Sequence, residues 1–263
     1  MGIRPVADFE TLNYQIMMNL NTSTEASNTT ETAIGFIPCY RLPFLSLFHA
    51  DCMEIMKQYP DKYFDLAIVD PPYGINADTK QDKVAGTRGH HKTSGKYKKY
   101  HATNWDNETP TKEYFDELFR VSKNQIIWGG NYFVGLNITG VIVWDKGKSI
   151  YDNDGELALT SFGGFRIFRM SRADAYINKC DMKIHPTQKP LELYDWSIGR
   201  FAKPNFNILD THFGSGSIAL AVDKANRLDK MNLHLTACEI DKEYIDKAVK
   251  RISESIKQGT LSF

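Results

Sequence analysis

Residues Asp70-Pro71-Pro72-Tyr73 place an acid, two prolines and an aromatic ring at the exit of an apolar run, Phe64-Asp65-Leu66-Ala67-Ile68-Val69. Proline has no backbone N–H and holds φ at about −65°, so the turn is stiff and its carbonyls are free to accept. The Asp70 carboxylate and the Pro71 carbonyl can both accept from one amino group, while Tyr73 offers a flat face to a planar ring. That set suits the exocyclic amine of a nucleobase. The same residue types also make an ordinary strand-ending turn, so the surroundings must decide.

A second constellation is Asp210-Thr211-His212-Phe213-Gly214-Ser215-Gly216-Ser217. It follows the apolar run Phe206-Asn207-Ile208-Leu209 and leads into Ile218-Ala219-Leu220-Ala221-Val222, a helical stretch. A strand, a Gly-x-Gly turn and a helix bring backbone N–H groups close to a ligand. A third strand, Leu233-His234-Leu235-Thr236-Ala237-Cys238, ends at Glu239. An acid about 20 residues beyond the glycines is where a doubly wound sheet binds ribose hydroxyls. The third glycine of a dinucleotide fingerprint is missing, so the unit points to an adenosine-containing cofactor of another kind.

With these two units the chain resembles the permuted, beta-class DNA amino-methyltransferases of the adenine-N6 and cytosine-N4 type. The resemblance covers roughly residues 42–252 and rests on DPPY at 70–73, IIWGGN at 126–131, VIVWDK at 141–146, HPTQKP at 185–190 and DTHFGSGS at 210–217. The catalytic motif precedes the cofactor motif, the reverse of the unpermuted order. One departure is Thr211-His212, where the family usually carries Pro-Phe or Pro-Cys. The resemblance implies an α/β fold: a single-domain, seven-stranded, Rossmann-like and mostly parallel sheet with one antiparallel strand. It also implies S-adenosyl-L-methionine as cofactor and double-stranded DNA as partner.

Carried over residue by residue, it implies a catalytic set of Asp70, Pro71, Pro72 and Tyr73. The positions matching cofactor contacts are Asp51, Asp70, His185, Thr187, Lys189, Asp210, Phe213, Gly214, Gly216, Ser217, Glu239 and Ile240. Glu239 would take the ribose, Asp210 and the glycines the methionine end, and Thr187 with Lys189 the amino-acid moiety. Two of these have plainer readings: Asp51 as the cap of a following helix and Lys189 as a solvated surface lysine. The implied reaction transfers methyl to the N6 amino group of an adenine flipped out of the duplex. Cytosine-N4 methylation is the closest rival, although that group more often has Ser at the position of Asp70. Cytosine-C5 methylation has only the dipeptide Pro38-Cys39 in its favour, and protein or RNA methyltransferases with a similar turn run in the unpermuted order. A catalytically inactive DNA-binding subunit is the reading from outside enzymology.

Composition agrees with a single intracellular domain. The chain has 263 residues, 42% of them hydrophobic, and a formal net charge of zero, so any affinity for nucleic acid must be local. Cys39, Cys52, Cys180 and Cys238 lack metal spacing and read as reduced thiols, and no signal peptide is apparent, so a cytoplasmic protein, bacterial or phage-encoded, is expected. The uncharged part of 124–144 is broken by Gly129-Gly130-Asn131 and Gly140 and reads as two buried strands instead of a membrane span. Residues 1–37 form a polar extension, expected to be partly disordered, and 38–263 the methyltransferase domain, opening with the strand Phe44–Phe48. Helices are expected over 111–122, with Thr111 as cap, and over 189–202, 216–228 and 242–257. Alternating strands and helices call for a sheet covered on both faces.

Residues 74–104 form the longest stretch without periodicity. Lys80, Lys83, Arg88, Lys92, Lys96, Lys98 and Lys99 stand there against two acids, Asp78 and Asp82, with Tyr97, Tyr100, His90, His91 and His101 interleaved. Charge concentrated beside the catalytic turn reads as a DNA-binding insertion that grips phosphates; a solvated loop is the plainer account. The histidines lack partners at metal-ligand spacing, so no metal is expected. A short target-recognition segment is expected at about 147–184. A companion restriction endonuclease and a homodimer are compatible with the family.

Overall fold

The computed structural model describes residues 36–76, 106–147, 153–171, 174 and 183–260. The lysines and Arg88 expected to grip phosphates, and the extension before residue 36, lie outside them. In chain order the strands are β1 (Tyr40–Leu42), β2 (Leu45–His49), β3 (Phe64–Val69), β4 (Ser122–Trp128), β5 (Gly140–Asp145), β6 (Gly155–Thr160), β7 (Phe165–Arg169), β8 (Asn207–Asp210) and β9 (His234–Glu239). The helices are α1 (Cys52–Met56), α2 (Lys112–Val121), α3 (Leu191–Phe201), α4 (Ser217–Asp229) and α5 (Lys242–Thr260).

The strands form one sheet in the order β1-β2-β9-β8-β3-β4-β6-β5-β7. Its inner seven, β2 to β5, correspond to the expected sheet: β6 alone runs antiparallel to its neighbours β4 and β5. The difference from the expectation is at the edges. Among the described residues there are nine strands, because β1 folds back on β2 as an antiparallel hairpin and β7 adds parallel to β5.

β3 is buried along nearly its whole length, as a central parallel strand with both faces covered must be. Leu66 and Ile68 share a core with Leu193 and Ile198 of α3, Ile218 and Val222 of α4, and Ile245 and Val249 of α5. Ala67 and Val69 alternate to the opposite face and are equally buried. The helix α2 is amphipathic and buries Tyr114, Phe115, Leu118 and Val121. Thr111 stands at its N-cap position but makes no side-chain capping hydrogen bond, contrary to expectation.

The expected recognition segment is partly sheet. Residues 155–160 and 165–169 are strands, because Gly155–Thr160 pairs between β4 and β5 and Phe165–Arg169 extends the edge. The sheet order reverses at β8 and β3, with β9 and β2 to one side and β4 to the other. At such a reversal the crevice beyond the carboxyl ends of the strands is open to ligands. Asp51 lies just past β2, Asp70 just past β3, Gly129 just past β4, and Asp210 and Glu239 close β8 and β9. No helix among the described residues is long and apolar enough to cross a membrane.

Candidate active site

The turn after β3 is held from three sides. Asp106 accepts the backbone N–H of Tyr73 at 2.6 Å and of Gly74 at 3.0 Å on one carboxylate oxygen. The Tyr73 hydroxyl donates to Asp70 Oδ1 at 2.5 Å. Its ring stacks on Tyr132, with centroids 4.9 Å apart and planes 12° from parallel. Gly129 lies against that ring: a Cβ at this position would fall 2.1 Å from Tyr73 Cε1, and φ is +75°. Gly129 therefore gives the tyrosine its seat, while Gly130 makes room for Leu159 of the neighbouring strand.

Lys189 is buried, contrary to its plainer reading as a surface lysine. Its ammonium donates to Asp70 Oδ2 at 2.5 Å and to the Tyr73 hydroxyl at 3.1 Å, and pairs with Glu156 Oε2 at 3.3 Å. Lys146 binds the other Glu156 oxygen at 2.5 Å. Burial works against charge on Asp70, Glu156 and Lys189. It raises the Asp70 carboxyl above its ordinary value, with Lys189 and Tyr73 pulling the other way. Burial also opposes the Lys189 charge, but Asp70 and Glu156 together hold the ammonium on. For Glu156, burial is outweighed by Lys189 and Lys146, and its carboxyl sits below the usual range.

Two cavities meet here. One, of about 850 Å³, is lined by Tyr73, Asp106, Tyr132, Trp144, Lys146 and Glu156 among others. The other, of about 800 Å³, is lined by Asp51, His185, His212, Phe213, Gly214, Glu239 and Ile240 among others. Asp70, Thr187, Gln188 and Lys189 belong to both walls, with Pro71 on the first and Pro72 on the second.

In the second cavity Glu239 organises its own surroundings. One carboxylate oxygen accepts the Gly214 N–H at 2.8 Å, the other those of Ile240 at 2.9 Å and Asp241 at 3.0 Å. Asp51 both lines the cavity and caps α1, accepting the Met53 N–H at 2.7 Å. His185 packs against Gly214, where a Cβ would stand 3.7 Å from its ring, and exchanges a hydrogen bond with the Thr187 hydroxyl at 3.1 Å. Burial and the nearby lysines 183, 189 and 247 lower His185 to about 3, leaving it neutral. Asp210, Gly216 and Ser217 stand behind the lining. Asp210 accepts the His212 N–H at 3.1 Å, and Ser217 donates to the Lys189 carbonyl at 3.1 Å, tying the start of α4 to the 185–190 segment. Burial, with Asp70 and Glu239 adding to it, raises Asp210 to about 8. The departure Thr211-His212 is absorbed by polar contacts: Thr211 bonds the Tyr114 hydroxyl at 2.7 Å and His212 Nδ1 at 2.9 Å.

The residues that sequence reasoning missed are Asp106, Tyr132, Lys146 and Glu156. Tyr132 and Lys146 stand directly beside or within motifs already singled out. Asp106 follows the basic insertion in Asn104-Trp105-Asp106, and Glu156 sits in a strand within the expected recognition segment. Arg166 and Arg169 of β7 are engaged within the fold, Arg166 with the carbonyls of Phe162 and Gly163 and Arg169 with Asp145.

The N6_N4_Mtase family, described as DNA methylase, matches residues 165–250. That span runs from β7 through the 185–190 segment and the glycine loop into α5. The Type II methyltransferase M.HinfI of Haemophilus influenzae is 24% identical over 262 residues, covering 80% of this chain and 68% of its own. These matches support an amino-methyltransferase of the N6/N4 type. The solved structure of PvuII DNA methyltransferase, cytosine-N4-specific, shares the fold of this methyltransferase: the TM-score is 0.53 at 13% identity, over 82% of this chain and 89% of that one. A structure titled as an M1.HpyAVI–SAM complex gives a TM-score of 0.47 at 21% identity, over 79% of this chain and 99% of that one. The turn at residues 70–73 lies outside the stretch matched by the family.

Proposed function

We propose that the enzyme transfers a methyl group from S-adenosylmethionine to the N6 amino group of an adenine flipped out of duplex DNA. The observation that carries this reading is the common wall of the two cavities, with Asp70 facing both. The cavity beside the glycine loop fits the cofactor by its chemistry. Asp51 and Glu239 supply acceptors for hydroxyl and amino groups, and the acidic wall made by Asp51, Asp70 and Glu239 favours a cation. Bound there, S-adenosylmethionine supplies an electrophilic methyl, and the amine that accepts it sheds one proton to water.

The chain's own residues do the rest by position. Asp70 accepts a hydrogen of the target amine, with the Pro71 carbonyl as the second acceptor. This localises the nitrogen lone pair, which is otherwise delocalised into the ring. The stacked pair of Tyr73 and Tyr132 offers a flat aromatic surface to a base that has left the duplex. Alignment and fixed electrostatics then supply the acceleration without a covalent intermediate. Asp51, Asp70, His185, Thr187, Phe213, Gly214, Glu239 and Ile240 line the cofactor side, and Asp210, Gly216 and Ser217 support it from behind. Phosphate contacts come from the basic insertion, and the enzyme acts in the cytoplasm of a bacterium or of a phage-infected cell.

Asp70 favours adenine over cytosine N4, because the cytosine enzymes of this resemblance more often carry Ser at that position. The decisive experiment incubates the purified enzyme with duplex DNA and methyl-labelled S-adenosylmethionine and identifies the labelled nucleoside by mass spectrometry. N6-methyladenine is expected. Label on N4-methylcytosine would overturn the base assignment, and no label in any nucleoside would overturn the activity.

A further inference from the structure

The buried Lys189 has more to do than its place beside the cofactor cavity explains. An ammonium has three hydrogens and no acceptor, and here three acceptors surround it: Asp70 Oδ2, Glu156 Oε2 and the Tyr73 hydroxyl. The rings of Tyr73 and Trp128 lie 5.6 and 5.4 Å from the nitrogen. Its own carbonyl is pinned by Ser217. A lysine tied at both ends, and 3% exposed, is not a mobile contact. Asp70 in turn has one oxygen on Tyr73 and the other on Lys189, which fixes the plane of its carboxylate while leaving a lone pair on each oxygen.

We propose that Lys189 is a positioning residue that fixes the charge and the orientation of Asp70 for the target amine, with Glu156 as its second anchor. The inference rests on the amino-methylation reading given above. A buried carboxylate without a cation beside it takes up a proton, and a protonated Asp70 has lost much of its power to accept from an amine. The charged and titratable groups around Asp70 are Lys189 and Tyr73 in contact, Glu156 with its partner Lys146 beyond the ammonium, and Asp210 at the end of the neighbouring strand. Lys189 is the one cation among the described residues that reaches the carboxylate. Glu156 plays two parts of opposite sign. It holds the ammonium in place, and its own negative charge repels that of Asp70.

The test removes each charge with little change of shape. In Lys189→Met, Asp70 should titrate about 1–3 pH units higher than in the parent, the usual effect of losing an adjacent cation. In Glu156→Gln it should titrate lower, because the repulsion is gone and Lys189 is left to Asp70 alone. The direct readout needs no substrate: the protonated-carboxyl stretch in infrared titration, assigned by its absence in Asp70→Asn. The kinetic readout is the single-turnover methylation rate against pH, whose acidic limb should move the same way, so that Lys189→Met loses at least about tenfold near neutrality and regains part of it in alkali. Lys189→Arg should keep the parent limb, and thermal melts of all variants establish that they fold. An Asp70 titration that stays put in Lys189→Met overturns the inference, as does a loss confined to cofactor affinity. Infrared titrations that shift as expected in the variants, with a parent enzyme that methylates no DNA amine, sink the functional reading and leave the electrostatic role of Lys189 standing.

Discussion

Asp70 and Glu239 are both strand-end carboxylates, yet they are bound in different ways. Asp70 is held by side chains, Tyr73 and Lys189, so Asp70→Ala should abolish methyl transfer and leave S-adenosylmethionine affinity within a few-fold. Calorimetry with filter-based methylation assays checks both halves, and near-normal turnover would remove Asp70 from the chemistry. Glu239 is held by three backbone amides. Glu239→Ala should therefore lower cofactor affinity by on the order of 1.5–3 kcal/mol and also lower the melting temperature, since the Gly214, Ile240 and Asp241 N–H groups lose their acceptor. Asp210 yields a prediction with a definite sign. Its folded-state value of about 8 lies above the ordinary carboxylate value, so between pH 4 and 8 the native state binds the extra proton. Its contribution to stability is full in acid and is lost as pH rises through that window. Asp210→Asn keeps the neutral shape, so denaturant titrations should show a flatter decline toward pH 8, with the variant the more stable of the two there. An unchanged pH profile would mean that Asp210 ionises normally.

Elements with a single period could be read from the sequence. β3, β4, β5, β8 and β9 are apolar runs that end in turn residues, and α2 and α5 have one apolar face each. β1 was missed because three residues, Tyr40-Arg41-Leu42, carry too little pattern, and their pairing is set by the hairpin with β2. β6 and β7 were missed for another reason. Their alternation, half-buried in β6 and barely buried in β7, resembles a solvated loop until the neighbouring strands supply the pairing. The two cavities could be foreseen only one at a time. That they share a wall depends on Lys189 crossing from the 185–190 segment to β3, a contact between residues 119 apart in the chain. Gly129, at the end of β4, is where element geometry meets chemistry. A methyl group there collides with the Tyr73 ring and must also adopt a positive φ. Gly129→Ala should cost on the order of 1–3 kcal/mol of stability and lower turnover at least tenfold by displacing Tyr73 from Asp70, as equilibrium unfolding and methylation assays would report. A fully active, equally stable variant would mean that Tyr73 has another place to sit.

At the scale of the whole molecule the order of synthesis and the order of strands disagree. β8 and β9, encoded near the end of the described chain, lie between β2 and β3. A nascent chain that has emerged as far as residue 203 thus holds two strands whose partners have not been made, each with an open row of N–H and C=O groups. Open edges of this kind recruit other chains, and contacts of such long range form slowly. A fragment ending at residue 203 should accumulate in aggregates, and the full chain should refold as one cooperative unit with no stable N-terminal half. Pulse-labelled hydrogen exchange during refolding checks this: amides of β3 and β9 should become protected together. Early, separate protection of β3 would show that the first half folds alone. Because the wedge that completes the sheet also carries the glycine loop and Glu239, a ribosome must pass residue 244 before the second cavity exists, and a transcript cut short ahead of the glycine loop should yield no protein that sequesters S-adenosylmethionine without using it.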